Sequence, residues 1–324
     1  MGEFKECAKR QKHGCFTDRL KMKKVAVFDI GSNSVKLAIA ELQNNKPVLL
    51  FDASVVTSLA KGFNDSKLLS ENSINKTVKA VEAFYAFAKK EGANIFVPVG
   101  TMALREAENA NRFIQKLKEN TSLDLQILSG KDEARYSAKA VLSSMEKLNE
   151  GRVTIFDTGG GSTEITKVQN GDILSFDSLN IGAVTLTDQY FTEDKVPHNV
   201  VANVIAQLID KFKSKGLVCD KLIGIGGNVS TQLCVAYGLA KHNSNLIHGS
   251  VLQKAEVERQ IACYADSTLE EREKILRVAP KRASIILGGC CITYALMSAC
   301  GQDNLTVSDK SLRHALLFEK LLED

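Results

Sequence analysis

Asp29-Ile-Gly-Ser-Asn-Ser34 and Asp157-Thr-Gly-Gly-Gly-Ser162 are two versions of one short turn, placed 128 positions apart in the chain. Each turn follows an apolar run and leads into a second one. The runs are Val25 to Phe28 and Val35 to Ala40 around the first turn, and Val153 to Phe156 and Thr163 to Val168 around the second. Both segments therefore predict a β-strand, a tight turn and another β-strand.

A second pair of segments recurs at nearly the same spacing. Val97-Pro-Val-Gly-Thr101 precedes Ile223-Gly-Ile-Gly-Gly227 by 126 positions. Two matched elements at one spacing indicate a duplicated domain. The length of 324 residues fits two domains of about 150 residues each.

The residue types of the two turns favour phosphate binding. Glycine lacks the Cβ atom that would block a close approach, so several backbone N–H groups can converge on one phosphate oxygen. Serine adds hydroxyl donors, and an aspartate at the end of a buried strand needs a partner or a metal ion such as Mg²⁺. A single D-x-G turn is more typical of a hairpin without a ligand. The repetition and the three consecutive glycines favour a binding site instead.

Composition and charge exclude several classes of protein. The net charge of +4 is far from the strongly basic profile of nucleic-acid-binding proteins. The chain has no uninterrupted apolar run of about 18 residues, the length that a membrane-spanning helix requires. Its eight cysteines form no C-x-x-C pair, which favours separate thiols in a reducing cytosol. We therefore expect a soluble cytoplasmic protein that binds neither nucleic acid nor a membrane, with residues 1–21 as a flexible leader.

The segments between the turns alternate between helix and strand, as in α/β proteins. Ser70 to Lys90 has a capping serine followed by apolar residues at helical spacing. Ser129-Gly-Lys-Asp-Glu-Ala-Arg135 opens another predicted helix and places Asp132 and Glu133 on its first turn. Acidic residues there are typical of a well-capped helix, because the helix dipole favours negative charge. A carboxylate beside a phosphate site would also be able to orient or deprotonate water, so both interpretations stay open.

The chain resembles the exopolyphosphatase and guanosine pentaphosphate phosphohydrolase (Ppx/GppA) family. The resemblance rests on the two turns, on Gly100-Thr-Met-Ala-Leu-Arg-Glu-Ala107, on Ser129 to Arg135, and on Lys281-Arg-Ala-Ser-Ile-Ile-Leu-Gly-Gly289. It implies an α/β protein of the actin-like ATPase (sugar kinase/heat-shock/actin) superfold, with two duplicated ribonuclease-H-like domains and a cleft between them. It also implies a homodimer, and a division of the chain into residues 22–141 plus 309–324 and residues 142–308.

The resemblance implies a role for each matched residue. Glu133 would be the general base that activates the attacking water, and Asp157 and Glu164 would bind Mg²⁺ or another divalent cation. Arg105 and Arg282 would neutralise charge on the substrate. The other phosphate-binding candidates are Ser32, Asn33, Gly159, Gly160, Gly161, Ser162, Gly226, Gly227 and Asn228. Four positions depart from the family pattern: Lys36 stands where members often have histidine, Asp132 replaces a glutamate, Asn228 replaces a threonine and Ala315 replaces a glycine.

The function implied by the resemblance is the release of terminal orthophosphate from inorganic polyphosphate by Mg²⁺-assisted attack of water. Hydrolysis of guanosine pentaphosphate (pppGpp) to ppGpp is a related activity. An ATP-dependent kinase or ATPase shares the superfold and remains an alternative. A non-catalytic sensor of polyphosphate or alarmone is another, although it would not need Glu133, Asp157 and Glu164 together. Phosphate release without an acceptor molecule distinguishes hydrolysis from both.

Overall fold

The two predicted strand-turn-strand segments are both present in the computed structural model, which describes residues 23–44, 46–145 and 150–323. The predicted leader, residues 1–21, lies outside the described residues. Each turn joins two antiparallel strands at the centre of its own sheet. No helix within the described ranges is long and apolar enough to cross a bilayer.

The first sheet has five strands in the described part of the chain, in the order β3-β2-β1-β4-β5. The strand β1 pairs antiparallel with β2 and parallel with β4, so it lies in the middle of the sheet and is almost completely buried. The strands are β1 Lys24–Ile30, β2 Ser34–Gln43, β3 Lys46–Val56, β4 Ile95–Gly100 and β5 Gln126–Ile127.

The second sheet repeats this arrangement. Its order among the described residues is β10-β11-β9-β6-β7-β8, so β8-β7-β6-β9-β11 matches β3-β2-β1-β4-β5 strand for strand, and β10 is an addition at the edge. The predicted duplication is therefore confirmed by the topology. The strands are β6 Arg152–Thr158, β7 Thr163–Gln169, β8 Asp172–Leu179, β9 Lys221–Ile225, β10 Val251–Gln253 and β11 Asn304–Ser308.

Helices cover the faces of both sheets. Ser70 and Ser129 cap two of them as predicted, since their hydroxyls accept hydrogen bonds from the N–H groups of Ser73 and Asp132. The described helices of the first half are α1 Phe63–Ser66, α2 Glu71–Lys90, α3 Met102–Glu106, α4 Ala110–Thr121 and α5 Gly130–Leu142. Those of the second half are α6 Ala183–Tyr190, α7 His198–Lys213, α8 Gly226–Ala236, α9 Ser244–Ile247, α10 Lys254–Asp266, α11 Leu269–Ile275, the 3₁₀ helix Pro280–Arg282, α12 Ile286–Ala299 and α13 Leu312–Leu322.

The last helix, α13, packs on the first sheet although it follows the second sheet in the chain. Its apolar residues Leu312, Leu316 and Leu317 join Val25 and Val27 of β1 in one buried cluster. The division of the chain into residues 22–141 plus 309–324 and residues 142–308 stays a prediction.

One ion pair ties α13 to the edge strand β3. Arg313 donates to Asp52 through Nε at 2.9 Å and Nη2 at 2.8 Å, and His314 Nε2 donates to the same carboxylate at 3.0 Å. Burial opposes ionisation of Asp52, but the charge of Arg313 and the hydrogen bond from His314 lower its pKa. Burial and the charge of Arg313 lower the pKa of His314 to about 4. The imidazole is therefore neutral at pH 7.

We expect Asp52→Asn to lower the free energy of unfolding by about 3 kcal/mol, because Arg313 would remain buried without its counter-charge. This loss lies at the low end of the range for removing one partner of a buried ion pair, because the Asp52 side chain is 22% exposed. Urea denaturation measures the change. The control is Glu270→Gln, which breaks an exposed ion pair with Lys274 and should leave the denaturation midpoint unchanged. Equal midpoints for all three proteins would contradict the expectation.

The neutral state of His314 predicts a pH dependence of stability. The pKa of the histidine is about 4 in the folded chain and about 6.5 in the unfolded chain. The unfolded state therefore binds the proton first, and stability is lost as the pH falls from about 6.5 to about 4, by up to about 1.4 kcal/mol per pH unit. Subtracting the unfolding curve of His314→Gln from that of the wild type isolates this slope. Parallel curves across the window would contradict the prediction.

Candidate active site

The two glycine-rich turns face each other across the cleft between the sheets. Both have the same internal hydrogen bond, from Gly31 N to Ser34 O at 3.0 Å and from Gly159 N to Ser162 O at 2.9 Å. They are so close that a Cβ atom on Gly160 would lie 3.1 Å from Ser32 Cβ. The turns therefore enclose a narrow space with walls of backbone atoms and hydroxyl groups.

The second turn lines this space and is held in place by backbone hydrogen bonds. Three N–H groups at the start of α6 hold its carbonyl groups: Ala183 N donates to Gly159 O at 3.0 Å, while Val184 N and Thr185 N donate to Gly160 O at 2.7 and 3.2 Å. The N–H groups of Gly160 and Gly161 have no hydrogen-bond acceptor among the described residues. Unpaired N–H groups of this kind form a ready site for an anion.

The start of α8 supplies a second set of donors. Gly226, the first residue of α8, directly follows β9 and has a φ of 88°, and a Cβ there would overlap with the Asp157 carboxylate. Only glycine can combine that backbone conformation with so close a neighbour. The next residue, Gly227, lies against the guanidinium of Arg282, which a Cβ atom would also displace. The helix N-terminus thus opens directly onto the cavity between the turns.

Two amides and one guanidinium near the turns lack partners. The Nδ2 atoms of Asn33 and Asn228 are buried and donate to no acceptor in the part of the chain that the structure describes. Arg282 makes no ion pair there either, and burial lowers its pKa. Unpaired buried donors are costly in a folded protein. Donors of this kind, collected around one cavity, are typical of a site for an anionic ligand.

Four carboxylates also line this cavity, each with a local partner. Arg105 Nη1 donates to Glu133 at 2.5 Å, and Ser178 Oγ donates to Glu164 at 2.9 Å. The remaining contacts link Lys36 to Asp29 at 2.8 Å and Ser137 to Asp157 at 3.4 Å. The acids come from β1, α5, β6 and β7, so both halves of the duplicated fold contribute to the group.

Burial and mutual repulsion perturb these acids. Burial, followed by the charge of Glu164, raises the pKa of Glu133. Burial also raises the pKa of Asp157, which the charge of Lys36 opposes. Burial and the charge of Asp157 raise the pKa of Glu164. Perturbed acids that converge in a cleft are typical of active sites.

The donor set fits Mg²⁺ only in part. Among the described residues no three Asp, Glu, His or Cys side chains form a group that could hold a metal ion. Mg²⁺ is nevertheless commonly bound by one or two carboxylates together with water and substrate phosphates. Asp157 and Glu164 provide such a pair of buried oxygen ligands, and a bound cation would offset the repulsion that raises their pKa values. The residues present are therefore compatible with a magnesium ion shared with the substrate.

Most predicted site residues line one cavity of about 70 Å³. The lining includes Glu133, Asp157, Glu164, Ser32, Asn33, Gly159, Gly160, Gly161, Ser162, Gly227, Asn228 and Arg282. Arg105 and Gly226 are not part of this lining. Arg105 contacts Glu133, and Gly226 lies against Asp157. The catalytic, metal-binding and phosphate-binding roles of these residues stay predictions.

Outside the two turns, sequence reasoning missed three polar residues of the lining, Lys36, Thr101 and Ser137. For Lys36 a signal was available, because it aligns with Glu164 in the duplicated turn. A charged residue at that position in both copies indicates that both side chains point into the cleft. Thr101 and Ser137 carry no comparable signal, since their positions depend on how β4 and α5 approach the turns.

A second, larger cavity of about 710 Å³ continues from the first. The two share Lys36, Gly227 and Arg282. Its other walls are mixed. Basic side chains include Lys281 and Arg313, and apolar ones come from β3 and the segment before Arg282, namely Leu49, Val55, Val56, Val278 and Pro280. The cleft thus offers a small polar end and a wide, partly apolar end.

We expect Arg282→Gln to weaken binding of a phosphate ligand by about tenfold to a hundredfold, the range for losing a hydrogen bond to a charged group. The guanidinium is desolvated and free of carboxylates within the described ranges, so its charge is available to the ligand. Titration calorimetry at two salt concentrations measures affinity and its salt dependence. Arg277→Gln removes an exposed arginine that lines neither cavity and serves as control. Equal affinities for both variants would contradict this expectation.

The fold and the cleft define the class of the protein. Two ribonuclease-H-like sheets of matching strand order, with paired turns at the cleft between them, form the actin-like ATPase superfold. The sequence model of the Ppx/GppA phosphatase family matches residues 38–324, so the chain belongs to that family.

Similar proteins carry several names. The chain is 29% identical over 301 residues to the bifunctional 3-dehydroquinate synthase/phosphatase of Fusobacterium nucleatum, covering 88% of this chain and 44% of that protein. It thus spans less than half the length of that relative. It is 24% identical to exopolyphosphatase 1 of Mycobacterium tuberculosis, with 92% and 88% covered. It is 25% identical to the guanosine-5'-triphosphate,3'-diphosphate pyrophosphatase of Vibrio vulnificus, with 92% and 59% covered.

A solved structure gives the same result for the fold. The crystal structure of the Aquifex aeolicus member of the Ppx/GppA family aligns with a TM-score of 0.77 at 28% identity, covering 93% of this chain and 98% of that one.

Proposed function

We propose that the protein is an exopolyphosphatase that releases terminal orthophosphate from inorganic polyphosphate by Mg²⁺-assisted attack of water. One observation carries the proposal: a single cavity holds both a group of unpaired donors and a group of buried carboxylates. The donors suit a phosphate, and the carboxylates supply what hydrolysis needs besides binding. Relatives named as phosphatases, an exopolyphosphatase and a pyrophosphatase support the same reaction class.

In the proposed reaction, the oxygen of a water molecule bonds to the terminal phosphorus, and Glu133 accepts a proton from that water. The P–O bond to the next phosphate breaks, and the shortened chain leaves with the bridging oxygen. Arg105 holds the Glu133 carboxylate in place through its hydrogen bond of 2.5 Å. A positioned base of this kind contributes about 10² to 10⁴ in rate.

The donors around the cavity act on the charge of the phosphate. The N–H groups of Gly160 and Gly161, the amides of Asn33 and Asn228, and the Arg282 guanidinium would contact its oxygens. Such fixed donors need no rearrangement as charge develops, which makes them effective in phosphoryl transfer. Asp157 and Glu164 would hold Mg²⁺, which when bound neutralises negative charge on the phosphoryl oxygens.

Guanosine pentaphosphate is a second candidate substrate, and the wide cavity favours it. A bare polyphosphate chain is charged along its whole length and gains nothing from apolar walls such as Val55, Val56 and Val278. A nucleoside would fill part of the 710 Å³ while its 5′-triphosphate reaches the turns. We therefore propose that the same site also hydrolyses pppGpp to ppGpp.

Phosphate release tests the proposal against the alternatives of a kinase and a sensor. The purified protein is incubated with polyphosphate, pppGpp or ATP, each with Mg²⁺ and with a chelator, and without any acceptor molecule. We expect orthophosphate from polyphosphate and pppGpp that depends on Mg²⁺. Release that requires an added acceptor would identify a kinase, and binding without release would identify a sensor.

We further propose that the protein works in the cytoplasm as a homodimer. Deeply buried thiols such as Cys290 and Cys291 are compatible with a reducing compartment. Multi-angle light scattering on the purified protein tests the oligomeric state, and a mass of one chain would exclude the dimer.

A further inference from the structure

Two consecutive glycines near the start of α12, Gly288 and Gly289, have no role in the proposed reaction. Glycine disfavours a helix, so a pair of them needs a reason. Both are buried. Gly288 faces α6, because a Cβ there would lie 2.9 Å from Thr187 Oγ1 and 3.0 Å from Ala183 O. Gly289 faces α8, and its neighbour there is the side chain of Asn228.

The contact between Gly289 and Asn228 is specific to the amide. The three atoms nearest to a Cβ on Gly289 are Oδ1, Cγ and Nδ2 of Asn228, and the Cβ would overlap with all three. The amide therefore occupies the space that any side chain at position 289 would need. Larger residues at that position are compatible with the fold only if the amide moves.

Asn228 itself points to a ligand. Its side chain is 4% exposed, lines the cavity between the turns, and its Nδ2 finds no acceptor among the described residues. A buried amide with an unmade hydrogen bond calls for an explanation, and a ligand in the cavity that the amide lines would complete the bond. The N–H groups of the α8 N-terminus lie beside it and favour a negatively charged ligand.

We propose that Gly289 is a positioning residue that reserves space for the Asn228 amide, so that Nδ2 can donate to an oxygen of the terminal phosphate. This inference rests on the proposed function of the site. The amide extends one bond beyond the hydroxyl of a threonine, the residue that Asn228 replaces in the family pattern. Gly289 and Asn228 thus act as a pair, in which the small residue permits the longer donor.

A double-mutant cycle tests the pair. The full-length variants are Gly289→Ala, Asn228→Ala and the combination of both. The probe is imidodiphosphate with Mg²⁺, because its P–N–P bridge resists hydrolysis, and titration calorimetry gives its dissociation constant. Each single variant should weaken binding by about tenfold, the effect of one lost hydrogen bond to a charged group. The combination should weaken it by the same factor, because both changes remove one interaction.

Thermal melting supplies a second readout. Gly289→Ala should melt roughly 3 °C lower from overpacking, and adding Asn228→Ala should restore that loss by removing the overlapping amide. The matched control is Gly288→Ala, whose added Cβ would meet α6 instead of Asn228. Its effect on the dissociation constant should therefore multiply with that of Asn228→Ala.

The inference would be overturned if the effects of Gly289→Ala and Asn228→Ala on the dissociation constant multiply, or if the double variant does not fold. Either result would leave the proposed function intact. Failure of the wild-type protein to bind imidodiphosphate would overturn both.

Discussion

Glu133→Gln is expected to lower turnover at least about a hundredfold while the substrate still binds. The glutamine has the shape of the glutamate and can still accept the hydrogen bond from Arg105 Nη1, so the helix start and the cavity should keep their geometry. What it loses is the ability to take a proton from water. Steady-state kinetics with polyphosphate, together with titration calorimetry of imidodiphosphate, separate turnover from binding.

Asp132→Asn is the matched control, because Asp132 is the neighbouring carboxylate on the same first turn of α5. It contacts Ser129 Oγ at 2.7 Å and Arg135 at 3.1 Å, points away from the cavity and does not line it. We expect turnover near the wild-type value. If Glu133→Gln keeps near-normal turnover, the general base is another group; if both variants lose it equally, the loss reflects the helix start rather than proton transfer.

Local sequence signals predicted the parts of the fold that depend on local physics. The strands around both turns, the caps at Ser70 and Ser129, and the acidic first turn of α5 follow from apolar runs and capping residues. The edge strands β3 and β8 were not predicted, because their alternating, half-exposed residues gain stability only from pairing with β2 and β7. The residues with which they pair lie on other strands, so no sequence pattern within β3 or β8 reveals them.

The same division holds for the site. Residue types and the duplicated turn predicted most of the residues that line the cavity. They did not predict that Arg105 contacts Glu133 or that Lys36 pairs with Asp29, because both contacts form only when the strands and α5 come together. Lys36 stands in the first turn where Glu164 stands in the second. The duplicated fold thus provides matching positions, and their side chains have diverged to opposite charges.

The unpaired donors and the crowded acids have one physical consequence in common. Asn33 Nδ2, Asn228 Nδ2 and the Arg282 guanidinium have no acceptor among the described residues, whereas Glu133 and Glu164 repel each other. Each arrangement destabilises the ligand-free protein. Both would improve if a phosphate and a cation bound there, because the anion would complete the donors and the cation would offset the repulsion between the acids. A site of this composition would favour such ligands at some cost in intrinsic stability.

Gly182→Ala is expected to lower kcat/KM about a hundredfold, the loss associated with a misplacement of about 1 Å at a reacting centre. Gly182 precedes α6, and a Cβ there would overlap with the carbonyl group of Gly160 and the nitrogen of Gly161. These are backbone atoms, so the overlap cannot be relieved by a change of side-chain rotamer. The turn would have to move into the cavity, and its N–H groups would then miss the phosphate.

Gly238→Ala is the control for loss of stability alone. Gly238 has a φ of 64° with no atom within 4 Å of the added Cβ, so alanine strains the backbone without touching the site. Circular dichroism at the assay temperature establishes that both variants are folded. We expect normal kinetics for Gly238→Ala and the hundredfold loss only for Gly182→Ala. A Gly182→Ala variant that is folded and fully active would mean that the turn keeps its geometry without the close contact to α6.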